Sequence, residues 1–245
     1  MVSKSKTNFI ISLQKKKVRE EEKLYIIEGD KLVKEFLAAK VAVRTLVAEP
    51  EFLNSLPLFH KRGIGEIIPA TYEELKKISS LMTPHNALAV IEMPETKMDP
   101  ADLKKGLTVA LDFVQDPGNF GTIIRAAAWF GIKNIYCSED CVDAYNPKVI
   151  QASMGAILHV NLFYTDLRKL FEKAAENKIK VYGALIEGKS IYSHKLENQG
   201  IILLGNESKG ISGELLPYVT DRIMIPKMSD AKSGIDSLNV SMAAS

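Results

Sequence analysis

An α/β architecture in two units is what this sequence predicts. Short apolar runs of strand length alternate with segments whose apolar residues recur at helical spacing. A stretch from Pro94 to Lys105, with two prolines in its first seven residues and mixed charge, interrupts that alternation. The chain is 245 residues long, enough for one large or two ordinary domains. The predicted division is a first unit over 1–95, a linker over 96–106 and a second unit over 107–245.

In the first unit, Ile10 to about Val18 reads as a helix and Leu24-Tyr25-Ile26-Ile27 as a short strand. Asp30 to Lys40 sets Leu32, Val33, Phe36 and Leu37 on one helical face. Strands follow at Arg44–Ala48, Glu66–Ile68 and Leu88–Glu92. Thr71 with Glu74 three residues later is a capping-box signal for a helix through Ile78.

The second unit opens on Leu107-Thr108-Val109-Ala110-Leu111, an apolar run of the kind covered on both faces. A helix is predicted from about Phe120 to Phe130, closed by Gly131. Further strands are expected at Asn134–Cys137, Ile157–Phe163, Lys180–Leu185, Gly200–Leu204 and Arg222–Ile225, with helices at Pro147–Ser153, Asp166–Asn177 and Gly213–Tyr218. Strand–helix alternation of this kind argues for a mainly parallel sheet with helices on both faces.

Composition narrows the class. Hydrophobic residues make up 46% and charged residues 25%, the balance of a soluble globular protein with a substantial core. No apolar run approaches membrane-spanning length. Cys137 and Cys141 have no second pair, so neither a disulfide framework nor a zinc site is supported, and a reducing, cytoplasmic setting is the simple reading. His60, His85, His159 and His194 are scattered without ligand spacing, and no metal is expected. Net charge is only +2, yet the first nineteen residues carry Lys4, Lys6, Lys15, Lys16, Lys17 and Arg19 and no acid. Such an arm suits a phosphate backbone as well as it suits a solvated helix face. A transit peptide fits less well, because the arm is lysine-rich and runs straight into a structured pattern.

Ligands of open α/β sheets bind beyond the carboxyl ends of the strands, and three polar stretches fall there. The first is Asp116-Pro117-Gly118-Asn119-Phe120-Gly121-Thr122-Ile123-Ile124-Arg125. In it Asn119 is placed to cap the next helix. Arg125 sits in a helix apolar around most of its circumference; phosphate or carboxylate contact is one reason, a guanidinium reaching solvent another. The second, Gly205-Asn206-Glu207-Ser208-Lys209-Gly210, ends the run Ile201-Ile202-Leu203-Leu204, where glycine permits a close backbone approach or an ordinary turn. The third is Ser237-Leu238-Asn239-Val240-Ser241, which taken alone could simply start a helix. No glycine-rich dinucleotide fingerprint follows the first strand, which disfavours a nucleotide-dependent oxidoreductase.

Taken together and in this order, the three stretches resemble the signature motifs of the SpoU/TrmH family of RNA 2′-O-ribose methyltransferases, within the knotted SPOUT superfamily. The match runs from Leu107 to the C-terminus. The first unit resembles that family's small substrate-binding domain, similar to ribosomal protein L30e, through Ile27-Glu28-Gly29 and its helix–strand order. The resemblance implies S-adenosylmethionine as methyl donor, a homodimer with a composite active site, and a deep trefoil knot at the C-terminal end. Carried to matching positions, Asn119, Arg125, Glu207, Ser237 and Asn239 form the catalytic set. Gly205, Asn206, Ile225 and Leu238 would cradle the cofactor, with Ala184 and Leu185 at the pocket edge. Lys15, Lys16, Lys17, Arg19 and Arg125 are the expected RNA contacts. The expected substrate is structured RNA, ribosomal rather than transfer RNA from the two-domain layout; a catalytically silent RNA-binding or assembly factor on the same scaffold is the alternative from another class.

Two departures from the family pattern bear on those expectations. Relatives continue the last motif as a longer C-terminal helix, whereas this sequence stops at Ser245, which touches the expected cofactor affinity and dimer interface. The loop Lys227–Asp236, with Ser229, Asp230, Ser233 and Gly234, lacks the compact glycine-rich form expected of many relatives.

Overall fold

The computed structural model describes residues 2–61, 63–228 and 237–245. They fall into two compact units, the first comprising Met1–Glu95 with Asp143–Leu158 and the second Thr96–Val142 with His159–Ser245. Residues 143–158, which the sequence reading placed in the second unit, therefore pack with the first.

In the first unit the predicted helix over 10–18 is two helices, α1 (Lys4–Ser12) and α2 (Lys16–Glu22). The break has a physical cause. Leu13 turns fully into the core and Lys15 is extended ahead of α2. The Leu13 carbonyl, orphaned past the end of α1, accepts from Arg19 Nη1 at 2.8 Å. Then follow β1 (Leu24–Glu28), α3 (Asp30–Ala38), β2 (Val43–Ala48), α4 (Pro50–Ser55), α5 (Leu58–Lys61), β3 (Ile64–Pro69), α6 (Tyr72–Ile78) and β4 (Ala87–Glu92). The sequence reading missed α4, although Pro50 at its first turn is a start signal. The capping box of Thr71 and Glu74 is present at α6. The four strands run in the order β1-β4-β2-β3, with β4 antiparallel to both neighbours and β2 parallel to β3.

The segment 143–158 is held by specific contacts. Its helix Pro147–Ser153 presents Gln151, whose side-chain amide donates to the Glu28 carbonyl at 3.0 Å. The Tyr145 ring lies 4.6 Å from that of Tyr25, centroid to centroid. Arg19 Nε donates to Asp143 Oδ2 at 2.9 Å, and Nη2 makes a second, shorter bond to the same oxygen. Arg19 is only 2% exposed. Its expected place among the RNA contacts is thereby corrected: the guanidinium is a buried structural cation with no face left for a phosphate.

In the second unit the expected linker is folded. A 3₁₀ turn over Pro100–Lys104 buries Leu103 in the main apolar cluster. Counting in chain order, the remaining elements are β5 (Leu107–Leu111), α7 (Pro117–Trp129), β6 (Asn134–Cys137), α8 (the Pro147–Ser153 helix of the first unit), β7 (Asn161–Tyr164), α9 (Leu167–Glu176), β8 (Val181–Ser190), β9 (Gly200–Leu204), β10 (Asp221–Met224) and α10 (Val240–Ala243). The six strands are all parallel, in the order β10-β8-β9-β5-β6-β7. Leu167, Leu170, Phe171 and Ala174 of α9 pack on Tyr136, Phe163, Val181 and Leu203 from the sheet. The helix predicted over 213–218 shrinks to a 3₁₀ turn at Leu216–Tyr218, since Pro217 offers no amide hydrogen to continue it. The strand predicted from Ile157 begins only at Asn161, because Ala156–His159 is a 3₁₀ turn.

One irregularity shapes the site. Along β8 and β10 the register steps from Arg222↔Gly183 to Ile223↔Lys189, so residues 184–188 bulge out of the ladder. A Cβ at Gly188 would stand 2.6 Å from the Arg222 carbonyl oxygen, so the strand can rejoin its partner there only with glycine.

Candidate active site

The site is built at the carboxyl ends of β5 and β9. Beyond β5, Asp112 is buried and its Oδ2 accepts from the Ser212 amide at 2.6 Å and, at shorter range, from the Ser212 hydroxyl. This clamp ties the segment just before the first motif to the segment just after the second. Phe113 adopts a left-handed backbone, φ 58°, which few non-glycine residues tolerate. Its carbonyl accepts from Asn206 Nδ2 at 2.8 Å. Helix α7 then starts, and its cap is Asp116, whose side chain accepts from the Asn119 amide at 2.8 Å. The expectation that Asn119 caps this helix is corrected. With Asp116 in that role, the Asn119 side chain is available to distant partners.

Beyond β9 the chain makes a tight loop in which Asn206 and Gly210 exchange backbone hydrogen bonds of 2.9 Å. Gly205 is required there, since a Cβ would lie 2.3 Å from the Gly210 carbonyl carbon. Asn206 Oδ1 accepts from the amides of Ser208 and Lys209 at 2.9 and 3.0 Å, locking the loop from within. Lys209 lies over the Phe113 ring, 5.1 Å from its centroid.

Asn119 Nδ2 donates to Glu207 Oε1 at 3.0 Å, and Asn119 Oδ1 accepts from Asn239 Nδ2 at 2.9 Å. Asn239 in turn caps α10, its Oδ1 accepting from the Ser241 amide at 2.9 Å and the Ser241 hydroxyl at 2.6 Å. A carboxylate only accepts, so Glu207 dictates which way the Asn119 amide faces, and Asn119 then dictates the orientation of Asn239. One directional chain of hydrogen bonds thus joins all three motifs. Ser241, 7% exposed, belongs to it as well, 3.3 Å from Asn119 Oδ1. Sequence reasoning left Ser241 and the Asp112–Ser212 clamp out of the site. Ser241 had a signal, two residues after Asn239 in the first turn of a helix; the clamp, spanning 100 positions, had none.

Ala184, Leu185, Gly205, Asn206, Glu207, Ile225, Ser237 and Leu238 all line one cavity of about 1820 Å³. That volume exceeds a single small-ligand pocket. The cavity runs from these strand ends down past Val109, Ile123, Ala127 and Ile202, so a compact ligand would take only its upper part. There aliphatic walls from Ala184, Leu185, Ile225 and Leu238 face polar points that include Asn206, Glu207 and Ser237, a lining suited to an aromatic base and an aliphatic chain. Ser237 and Leu238 are exposed on the wall. Arg125 lies on the exposed face of α7, six residues beyond Asn119. On an α-helix that is about 9 Å along the axis and roughly 120° around it, so it stands on a different face from the Asn119 side chain. Lys15, Lys16 and Lys17 are exposed in the first unit; Lys16 and Lys17 reach Glu20 and Glu21 at 3.7 and 3.8 Å.

Cys137 and Cys141 are unpaired and buried. Burial pushes the Cys137 thiol well up, whereas its hydrogen bond to Cys141, helped by Ser138, holds Cys141 below the usual thiol range. Among the described residues there is no acidic, histidine or cysteine cluster able to hold a metal, and no helix long and apolar enough to cross a membrane.

A parallel sheet whose strand ends gather an asparagine–glutamate network beside a largely apolar cavity defines an α/β enzyme of the cofactor-binding kind. Residues 106–245 match the SpoU rRNA methylase family, and residues 4–89 match the MRM3-like substrate-binding domain. The chain belongs to the SpoU rRNA methylase family. A Bacillus subtilis (strain 168) protein, the 23S rRNA (guanosine(2553)-2′-O)-methyltransferase RlmP, is 29% identical over 233 residues, covering 95% of this chain and 90% of that one. Among solved structures, a protein from Porphyromonas gingivalis assigned to the TrmH family of RNA methyltransferases aligns with TM-score 0.85 and 36% identity, over 100% of this chain and 95% of that one. An AdoMet-bound rRNA methyltransferase from Sinorhizobium meliloti shares the fold, with TM-score 0.84 at 24% identity over 100% of this chain and 93% of that one.

Proposed function

We propose that this protein is an S-adenosylmethionine-dependent RNA methyltransferase that methylates a ribose 2′-hydroxyl, with ribosomal RNA as its substrate. The observation that carries this reading is the convergence of Glu207, Asn239 and Ser241 on the one side-chain amide of Asn119. The Bacillus subtilis relative is named as a 23S rRNA methyltransferase, which supports that substrate over transfer RNA.

S-Adenosylmethionine, when bound, supplies an electrophilic methyl group on sulfur. The residues that would hold it are Ala184, Leu185, Gly205, Ile225 and Leu238, on the aliphatic wall of the cavity. A 2′-hydroxyl oxygen taking that methyl would have to pass its proton to water, and negative charge would build on the oxygen as the proton left. A guanidinium is not a base, so Arg125, on another face of α7 from Asn119, would serve the composite site of the proposed dimer as a fixed positive charge for the nascent alkoxide and the neighbouring phosphate. Glu207, Asn119 and Asn239 hold the three motifs in one rigid frame against which the ribose is oriented. Because the 2′-hydroxyl is what separates RNA from DNA, the substrate class follows from the chemistry.

In the same reading the unit of residues 1–95 with 143–158 binds RNA, with Lys15, Lys16 and Lys17 along the phosphate backbone, and the unit of residues 96–142 with 159–245 carries out methyl transfer. The active form is a homodimer with a deep trefoil knot near its C-terminal end; the exposed Leu238 and Met242 beside the site support a partner face there. A cytoplasmic setting goes with two unpaired thiols. Mapping ribose methylation across cellular RNA with and without the protein tests the reading directly. One missing methyl in ribosomal RNA is the expected result. An unchanged map, together with no calorimetric heat from S-adenosylmethionine, would point to a silent RNA-binding module instead.

A further inference from the structure

The chain holds a single tryptophan, Trp129, and it is 86% exposed at the last turn of α7. A ring of that size left in water is costly unless something covers it. Its neighbour Phe130 lines the cavity, whereas Trp129 lies off that wall. Trp129 stands four residues after Arg125, so the two exposed side chains are neighbours one turn apart on a single helix face. Helix α7 is also the element that carries Asn119 on its first turn. One face of α7 therefore carries a guanidinium and, a turn further on, an aromatic ring, while another face of the same helix holds Asn119 in the network.

We infer that Trp129 is a stacking platform for an unpaired base of the RNA substrate, a few nucleotides from the ribose being methylated. This rests on the methyltransferase reading above and adds a positioning residue to it. An unstacked base is recognised by an aromatic face independently of its sequence, and a cation on the same side takes the adjacent phosphate. Arg125 and Trp129 offer that pair at fixed spacing on a rigid helix. Exposed Leu238 and Met242 lie by α10, which meets α7 near Asn119; Trp129 is about 15 Å further along α7. A second copy seated at α10 does not by itself cover Trp129.

Because Trp129 is the sole tryptophan, its fluorescence in the full-length protein reports this surface alone. The probe is a short single-stranded RNA of mixed sequence, with DNA of the same sequence beside it. RNA is expected to quench the emission saturably. Trp129→Ala should weaken RNA binding and raise KM for RNA about 5- to 100-fold while kcat stays within about twofold. Trp129→Phe should restore most of the affinity, and S-adenosylmethionine binding should be unaltered in both variants. Emission indifferent to saturating RNA, or wild-type RNA affinity in Trp129→Ala, overturns the assignment. So does emission that shifts on diluting the protein without RNA, which would make a second copy the occupant. Methyl transfer by the unaltered protein, followed in the same samples, tests the underlying reading separately, because quenching and affinity are read whether or not methyl is transferred.

Discussion

Asn119 donates its side-chain amide to Glu207 at 3.0 Å across 88 positions of sequence, and it can do so because Asp116 has taken over the capping of its helix. The division of labour between two residues of one turn is what turns a helix start into part of a site. Replacing Asn119 with Asp sets two carboxylates face to face and removes the donor that orients Glu207. Methyl transfer should fall at least about 100-fold. The melting curve should record a loss of about 1–3 kcal/mol. Full activity in Asn119→Asp would show that the network is decorative.

Arg125 is assigned a charge, not a proton-accepting role. Arg125→Lys keeps one positive charge but loses the planar fork. Turnover should drop about 100-fold or more, with the calorimetric affinity for S-adenosylmethionine nearly intact. Equal loss of both would move Arg125 into the cofactor site.

Gly205 has no room for a side chain against the Gly210 backbone. Gly205→Ala should destabilise the second unit by about 3 kcal/mol in urea unfolding. It should also abolish cofactor binding, because the wall that carries Asn206 and Glu207 has to move.

Arg19 and the neighbouring lysines should separate cleanly. Asp143→Ala leaves the buried Arg19 guanidinium without its carboxylate and should cost about 3–5 kcal/mol of stability. Replacing Lys15, Lys16 and Lys17 with Gln should leave the melt unchanged. It should instead flatten the salt dependence of RNA binding, by about one unit of slope for each phosphate no longer neutralised.

Tyr136 is fully buried, and its hydroxyl has no hydrogen-bond partner among the described residues. Burial, with Asp102 and Asp99 nearby, pushes its pKa up to about 12 from an ordinary 10. The neutral phenol is thus favoured by the fold, so the unfolded chain ionises first. Stability is unaffected below about pH 10 and is lost as pH climbs toward 12. Tyr136→Phe should remove that alkaline loss and, at neutral pH, be neutral or stabilising by about 1 kcal/mol. Denaturant midpoints measured from pH 8 to 11 check both.

Much of this was legible in the residues. Leu107–Leu111 reads as a covered strand and Gly200–Leu204 as a strand because both are largely apolar, and they pair in parallel in the sheet. The polar motifs beyond them announced themselves by bare amides and glycine next to apolar runs. What stayed hidden was whatever depends on a partner far away in sequence. Arg19 looks like part of a basic arm until Asp143, 124 positions on, claims it. Pro147–Ser153 reads correctly as a helix, but periodicity says nothing about which unit that helix completes. Asn119 and Asp116 are both good caps, and only the position of Glu207 decides between them.

The excursion of residues 143–158 into the first unit alters what counts as a separable piece. A fragment cut at Glu95 would lack the helix against β1, the ring against Tyr25 and the counter-ion of a buried guanidinium. During synthesis the ribosome must deliver β5, α7 and β6 before the N-terminal body can close. Closure of the first unit is in this way made to wait for the opening strands of the second.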